Sequence, residues 1–71
     1  MTEYAVIYEP GESNWSAYVP DLPGCIATAK TREQLERRMQ EAIEFHIEGL
    51  RLHGELVPQP TIEVGRVVVS A

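Results

Sequence analysis

The chain opens with strand formers between Glu3 and Glu9, namely Tyr4, Val6, Ile7 and Tyr8. Pro10-Gly11-Glu12-Ser13 interrupts them and predicts a hairpin loop. From Trp15 to Val19 the hydrophobic period is two: Trp15, Ala17 and Val19 alternate with Ser16 and Tyr18, as in a strand with one buried face. Pro20 to Gly24 holds two prolines and a glycine and predicts a turn, and Cys25 to Ala29 predicts a short third strand.

The period then changes to that of a helix. Thr31 is a good N-cap, and Gln34 stands three positions on, which together make the pattern of a capping box. The helix is expected to run to about His53, where Gly54 occupies the usual C-terminal glycine position and Pro58 and Pro60 forbid continuation. At about 100° per residue, Leu35, Met39, Ala42, Ile43, His46, Ile47 and Leu50 fall in one stripe. Phe45 and Leu52 flank that stripe and widen the apolar surface. Thr61 to Val69, ending in Val67-Val68-Val69, predicts a fourth strand.

The expected fold is therefore α+β with the order β-β-β-α-β. Three strands form an antiparallel meander, and one helix packs on one face of it. That helix is also the crossover that lets the fourth strand lie parallel to the first, in the right-handed sense. Apolar residues occur at both parities of the first strand: Tyr4, Val6 and Tyr8 on one side, Ala5 and Ile7 on the other. One helix covers only one sheet face, so the uncovered face or an edge strand is a candidate for pairing with another chain.

Length and charge sharpen this picture. The 71 residues predict a single domain, and a chain this short buries only about 60% of the surface exposed on unfolding. Domains of this size gain stability by association, so a homo-oligomer, dimer or tetramer, is expected. The one cysteine, Cys25, cannot form an internal disulfide, and no Cys/His cluster offers a metal site; no cofactor is expected. No signal-peptide pattern opens the chain and no apolar run approaches a membrane span, which predicts a cytoplasmic protein with no membrane contact. Eleven acids against 6 bases give a net charge of -5. That balance disfavours free nucleic acid as a ligand and suits a basic protein partner, although acidity also serves solubility alone.

The segment from Trp15 through Pro20-Asp21-Leu22-Pro23-Gly24-Cys25 resembles the signature of the HicB antitoxin-like family. Tyr4 and Val6 in the first strand, Thr31 at the helix start, Glu41-Ala42-Ile43 within the helix and Gly54-Glu55 with Pro58 and Pro60 after it agree with that pattern over nearly the whole chain. The resemblance implies a partial ribonuclease H-like fold, which coincides with the order read independently above. It also implies an antitoxin that binds and masks HicA, a small basic ribonuclease. Complete HicB proteins usually add a helix-turn-helix or ribbon-helix-helix domain. This sequence stops at Ala71, after the predicted fourth strand, so direct DNA binding is not expected. Ala29-Lys30-Thr31 and Arg38 depart from the family's usual Gly-Asp-Thr-like turn and asparagine, as in a divergent solitary member.

Trp15, Tyr18, Asp21, Leu22 and Pro23 are the expected partner-binding residues. Trp15 and Tyr18 suit an aromatic contact patch and equally suit core and edge packing. Asp21 suits a contact to a basic partner, but an Asx-type turn closed on a backbone N–H near Gly24 is the favoured reading, and the two are compatible. Cys25 reads as a buried small apolar side chain rather than a nucleophile. His46 and His53 are seven residues apart, about 10.5 Å along a helix, too far to share one ion. No catalytic residue is expected: the first strand from Tyr4 to Tyr8 lacks the carboxylates that two-metal nuclease chemistry needs. The alternative to an antitoxin is an orphan oligomeric or small-ligand-binding scaffold without a toxin.

Overall fold

The computed structural model describes residues 2–71. Its elements are β1 (Ile7–Pro10), β2 (Trp15–Tyr18), β3 (Ile26–Ala29) and α1 (Arg32–Leu52). The strands form an antiparallel sheet in the order β1-β2-β3. The strands are shorter than the sequence pattern suggests. β1 begins only at Ile7, and it extends through Pro10, which pairs with Trp15. Pro10 is tolerated there because β1 is an edge strand. The hairpin loop is closed by the Gly11 N–H donating to the Asn14 carbonyl at 2.7 Å.

The register sorts side chains onto the two sheet faces. Tyr8, Ala17 and Ala27 are aligned across the strands, as are Pro10, Trp15 and Ala29; Ala17 and Ala29 are buried. Those rows face α1. The intervening rows, Ile7–Tyr18–Ile26 and Glu9–Ser16–Thr28, face away from it, because successive strand residues point to opposite sides.

Helix α1 has the ends its sequence specifies. Thr31 is extended at φ -125°, and its Oγ1 accepts the Gln34 N–H at 3.2 Å. Only this half of the capping box forms. At the other end Glu55 N–H donates to the Leu50 carbonyl at 2.9 Å and Gly54 N–H to the Arg51 carbonyl at 3.1 Å. This pair of bonds is a Schellman motif, and it needs the left-handed conformation that Gly54 adopts at φ 69°. The predicted stripe is the one that packs: Leu35 and Met39 are fully buried, and Ala42, Ile43 and Ile47 lie against the same core. That core is completed by Ala17, Val19, Leu22, Cys25 and Ala29. Phe45 and Leu52 remain exposed.

The expected fourth strand is where the chain departs from the sequence reading. Among the described residues, Thr61 to Val69 joins no ladder, and Val64, Val67, Val68 and Val69 are all exposed. The cause is where the segment is held. Tyr4 Oη donates to the Pro58 carbonyl at 2.5 Å. Three residues later the chain is bound to Asp21, in the β2–β3 turn, instead of running up the free edge of β1.

Candidate functional site

The turn between β2 and β3 is built from the inside outward. Leu22 has no exposed surface and seats the turn in the core between Val19 and Cys25. The backbone closes around it: Leu22 N–H donates to the Val19 carbonyl at 3.1 Å, Cys25 N–H to the Leu22 carbonyl at 3.0 Å, and Val19 N–H to the Cys25 carbonyl at 3.1 Å. Gly24 makes the reversal at φ 87°, a left-handed conformation that a side chain would strain.

Asp21 does not close an Asx turn on Gly24, contrary to the local reading. Its Oδ1 accepts the Thr61 hydroxyl at 2.7 Å, and its Oδ2 accepts the Thr61 N–H at 2.9 Å and the Ile62 N–H at 3.1 Å. Those donors hold the Asp21 carboxyl below the usual carboxylate range, the Thr61 hydroxyl contributing most and the Thr61 amide next. Nothing local in sequence marks this pairing, since Thr61 lies 40 positions away.

The other expected contact residues are split by the sheet. Tyr18 projects from the uncovered face and is exposed, in one row with Ile7 and with Ile26, which is 70% exposed. Trp15 lies on the opposite face, partly buried against the core. Pro23 is exposed at the turn, whereas Leu22 is wholly inside. The surface brought together is thus Tyr18, Ile26 and Ile7 with Pro23 nearby in sequence, edged by Glu9 in the adjacent row. Ile7 and Ile26 were missed by the sequence reading, because only the register places them beside Tyr18.

The remaining candidates for chemistry are quiet. Burial pushes the Cys25 thiol up and so reduces its thiolate. His53 Nδ1 lies 2.8 Å from the Gly49 carbonyl at the helix end, where it donates in a capping role. His46 is half-buried on the helix stripe. Among the described residues no group of three His, Cys, Asp or Glu side chains could hold a metal ion, and no helix is long and apolar enough to cross a membrane. Arg38, which departs from the family pattern, donates from Nη1 to the Thr28 carbonyl at 2.6 Å and so caps the edge of β3.

Comparison with known proteins assigns the chain to a family. The family model described as the HicB-like antitoxin of bacterial toxin–antitoxin systems matches residues 4–68. A UPF0150 protein of Thermoplasma acidophilum is 36% identical over 62 residues, which cover 86% of this chain and 90% of the relative. A UPF0150 protein of Archaeoglobus fulgidus is 34% identical over 65 residues, covering 87% and 94%. An uncharacterized 14.9 kDa protein of Haemophilus phage HP1 is 34% identical over 56 residues, 79% of this chain but only 42% of the phage protein. The three-stranded meander, the buried Leu22 turn and the capped helix all lie within the matched residues, and the chain belongs to the HicB-like antitoxin family.

Proposed function

We propose that residues 1–71 act as one non-catalytic unit that self-associates and masks a small basic partner protein, of the HicA-like messenger-RNA-cleaving kind. The observation that carries this reading, beside the family, is the uncovered sheet face: Ile7, Tyr18 and Ile26 form an apolar row, and Glu9 stands in the next row. An apolar centre with an acidic margin suits a basic protein, and aromatic residues are enriched at the energetic centre of such contacts. The net charge of -5 steers a basic partner toward the surface and repels nucleic acid. In this reading Tyr18 and Pro23 touch the partner, Leu22 and Trp15 support the surface from within, and Asp21 fixes the turn. The protein works in the cytoplasm, where such a partner would act.

The test is co-expression with the product of a short, basic HicA-like reading frame sought beside its gene, read as co-purification and as rescue of growth. Tyr18→Glu and Ile26→Glu, both at exposed positions, should abolish the complex while leaving the fold intact. Absence of any complex, together with absence of rescue, overturns the antitoxin reading and favours the orphan scaffold.

A further inference from the structure

Three features of the protomer are individually incomplete. The first is an unpaired β1 edge. β1 ends the sheet, and no backbone hydrogen bond outside the β1–β2 ladder involves residues 3–10. The opposite edge differs, because Arg38 occupies the Thr28 carbonyl there. The second feature is a groove of about 400 Å³ between β1 and α1. Tyr4, Val6, Tyr8, Met39 and Ile43 line it, with Glu36 and Glu44 at its rim. The third is the segment beyond Ile62, which makes no hydrogen bond to the rest of the described chain. It projects far enough to stretch the molecule to 48 × 27 × 20 Å. The radius of gyration is 13.9 Å, against about 11 Å expected for a compact chain of this length.

The segment and the groove are complementary. In extended conformation Ile62, Val64, Arg66 and Val68 share one side. That side offers apolar groups to an apolar groove and one cation to its two glutamates. Within one molecule the segment does not enter that groove: past Pro58, whose carbonyl accepts from the Tyr4 hydroxyl at the groove, the chain turns onto Asp21, and Val64, Val67, Val68 and Val69 stand exposed. Asp21 holds Thr61 and Ile62 at the β2–β3 turn, which lies at the end of the sheet where β1 begins, since Ile7, Tyr18 and Ile26 are aligned.

We infer that residues 63–69 form the missing fourth strand in trans, laid along β1 in the groove of a second copy of this chain, while Asp21 keeps their root on its own turn. The exchange is reciprocal, so each molecule gives a strand and receives one about a two-fold axis. The apolar side faces Val6 and Met39, and Arg66 faces Glu36 and Glu44. Pairing also satisfies the open N–H and C=O groups of the β1 edge, which otherwise invite uncontrolled association. This inference rests on the self-association proposed above and specifies its interface.

Light scattering during size exclusion tests it with the full chain. Wild type is expected to be a dimer. Val64→Asp/Val68→Asp, whose side chains are exposed in the protomer, should raise the dimer dissociation constant by at least about 100-fold with an unchanged circular dichroism spectrum. Two further chains, Arg66→Glu and Glu36→Lys/Glu44→Lys, should each dimerise more weakly alone and form a heterodimer when mixed. Only exchange in trans gives that result, since the heterodimer then holds one reversed and one wild-type pairing, both attractive. A monomeric wild type overturns the self-association reading and this inference together. A dimer indifferent to Val64→Asp/Val68→Asp overturns this inference alone. Loss of the dimer without recovery on mixing places the strand elsewhere than the partner's groove, and also overturns it.

Discussion

Asp21 and Thr61 stand 40 positions apart in the chain, and one carboxylate binds the other residue twice, through its hydroxyl at 2.7 Å and its amide at 2.9 Å. Together with the Ile62 amide, this ties the turn after β2 to the segment that follows the helix. The two donors with polar hydrogens on the backbone would otherwise be solvated, and the carboxylate gives them one fixed orientation. Beyond that tie the chain pairs with no strand, and Val64, Val67, Val68 and Val69 are exposed.

Replacing the carboxylate loosens that tie. Asp21→Ala should leave the sheet and helix intact but raise hydrogen exchange at the Thr61 and Ile62 amides to rates typical of free chain. Exchange at the Cys25 and Leu35 amides should not change. Protection at Thr61 that survives Asp21→Ala would mean that something other than the carboxylate holds the segment.

The same contact depends on pH in a defined sense. The native Asp21 carboxyl titrates below its unfolded value, so the ionised form is the one the native state favours. Its contribution is complete above the unfolded pKa and is lost as pH falls through the lowered native one. Protection of the Thr61 amide should therefore hold at neutral pH and disappear in acid, whereas Asp21→Asn should flatten that profile. The carboxyl carbon shift of Asp21, followed by NMR, reads the titration directly.

Leu22 supports the turn from inside. It is wholly buried among Val19, Cys25 and Leu35 in the same cluster. Leu22→Ala should cost about 2–5 kcal/mol in denaturant unfolding, as large-to-small changes in packed cores do. Pro23→Ala, at an exposed position of the same turn, should cost much less. Comparable losses at both positions would contradict the division between core and surface.

The helix ends predict two smaller effects. Thr31→Ala removes the acceptor for the Gln34 amide and should cost about 1 kcal/mol. Gly54→Ala forces a side chain into the left-handed conformation at φ 69°, although no atom stands within reach of the added carbon, and should also cost about 1 kcal/mol. Thermal unfolding of each variant and of the pair should show additive shifts, since the two ends are far apart.

Cys25 offers a probe of opening. Burial raises its thiol pKa, so the protonated form is favoured by the native state and its contribution to stability falls as pH rises through the native pKa. Labelling with a thiol-specific disulfide reagent should be slow at neutral pH in the folded protein and should accelerate in Leu22→Ala. Immediate labelling of the wild type would show that the core around the β2–β3 turn is open.

Local chemistry was enough to read the helix and the hairpin. Thr31, Gln34, Gly54 and the stripe from Leu35 to Ile47 act over three or four residues, and they form as the pattern indicates. The alternation of Trp15, Ala17 and Val19 likewise gave the buried side of β2. The motif around Asp21 gave the family, but not what Asp21 does, because its partner is remote. Trp15 and Tyr18 looked like one patch in sequence; an odd separation on a strand sends them to opposite faces.

What the sequence determined by itself was therefore the order of three strands and a helix and the ends of that helix, all governed by interactions among near neighbours. What only the tertiary structure decided was the register that aligns Ile7, Tyr18 and Ile26, and the course of the segment after Pro60. The β propensity of Ile62 to Val69 states that the segment suits a strand, but not which edge it meets. That choice falls to three hydrogen bonds on Asp21, which fix the root of the segment beneath the β2–β3 turn.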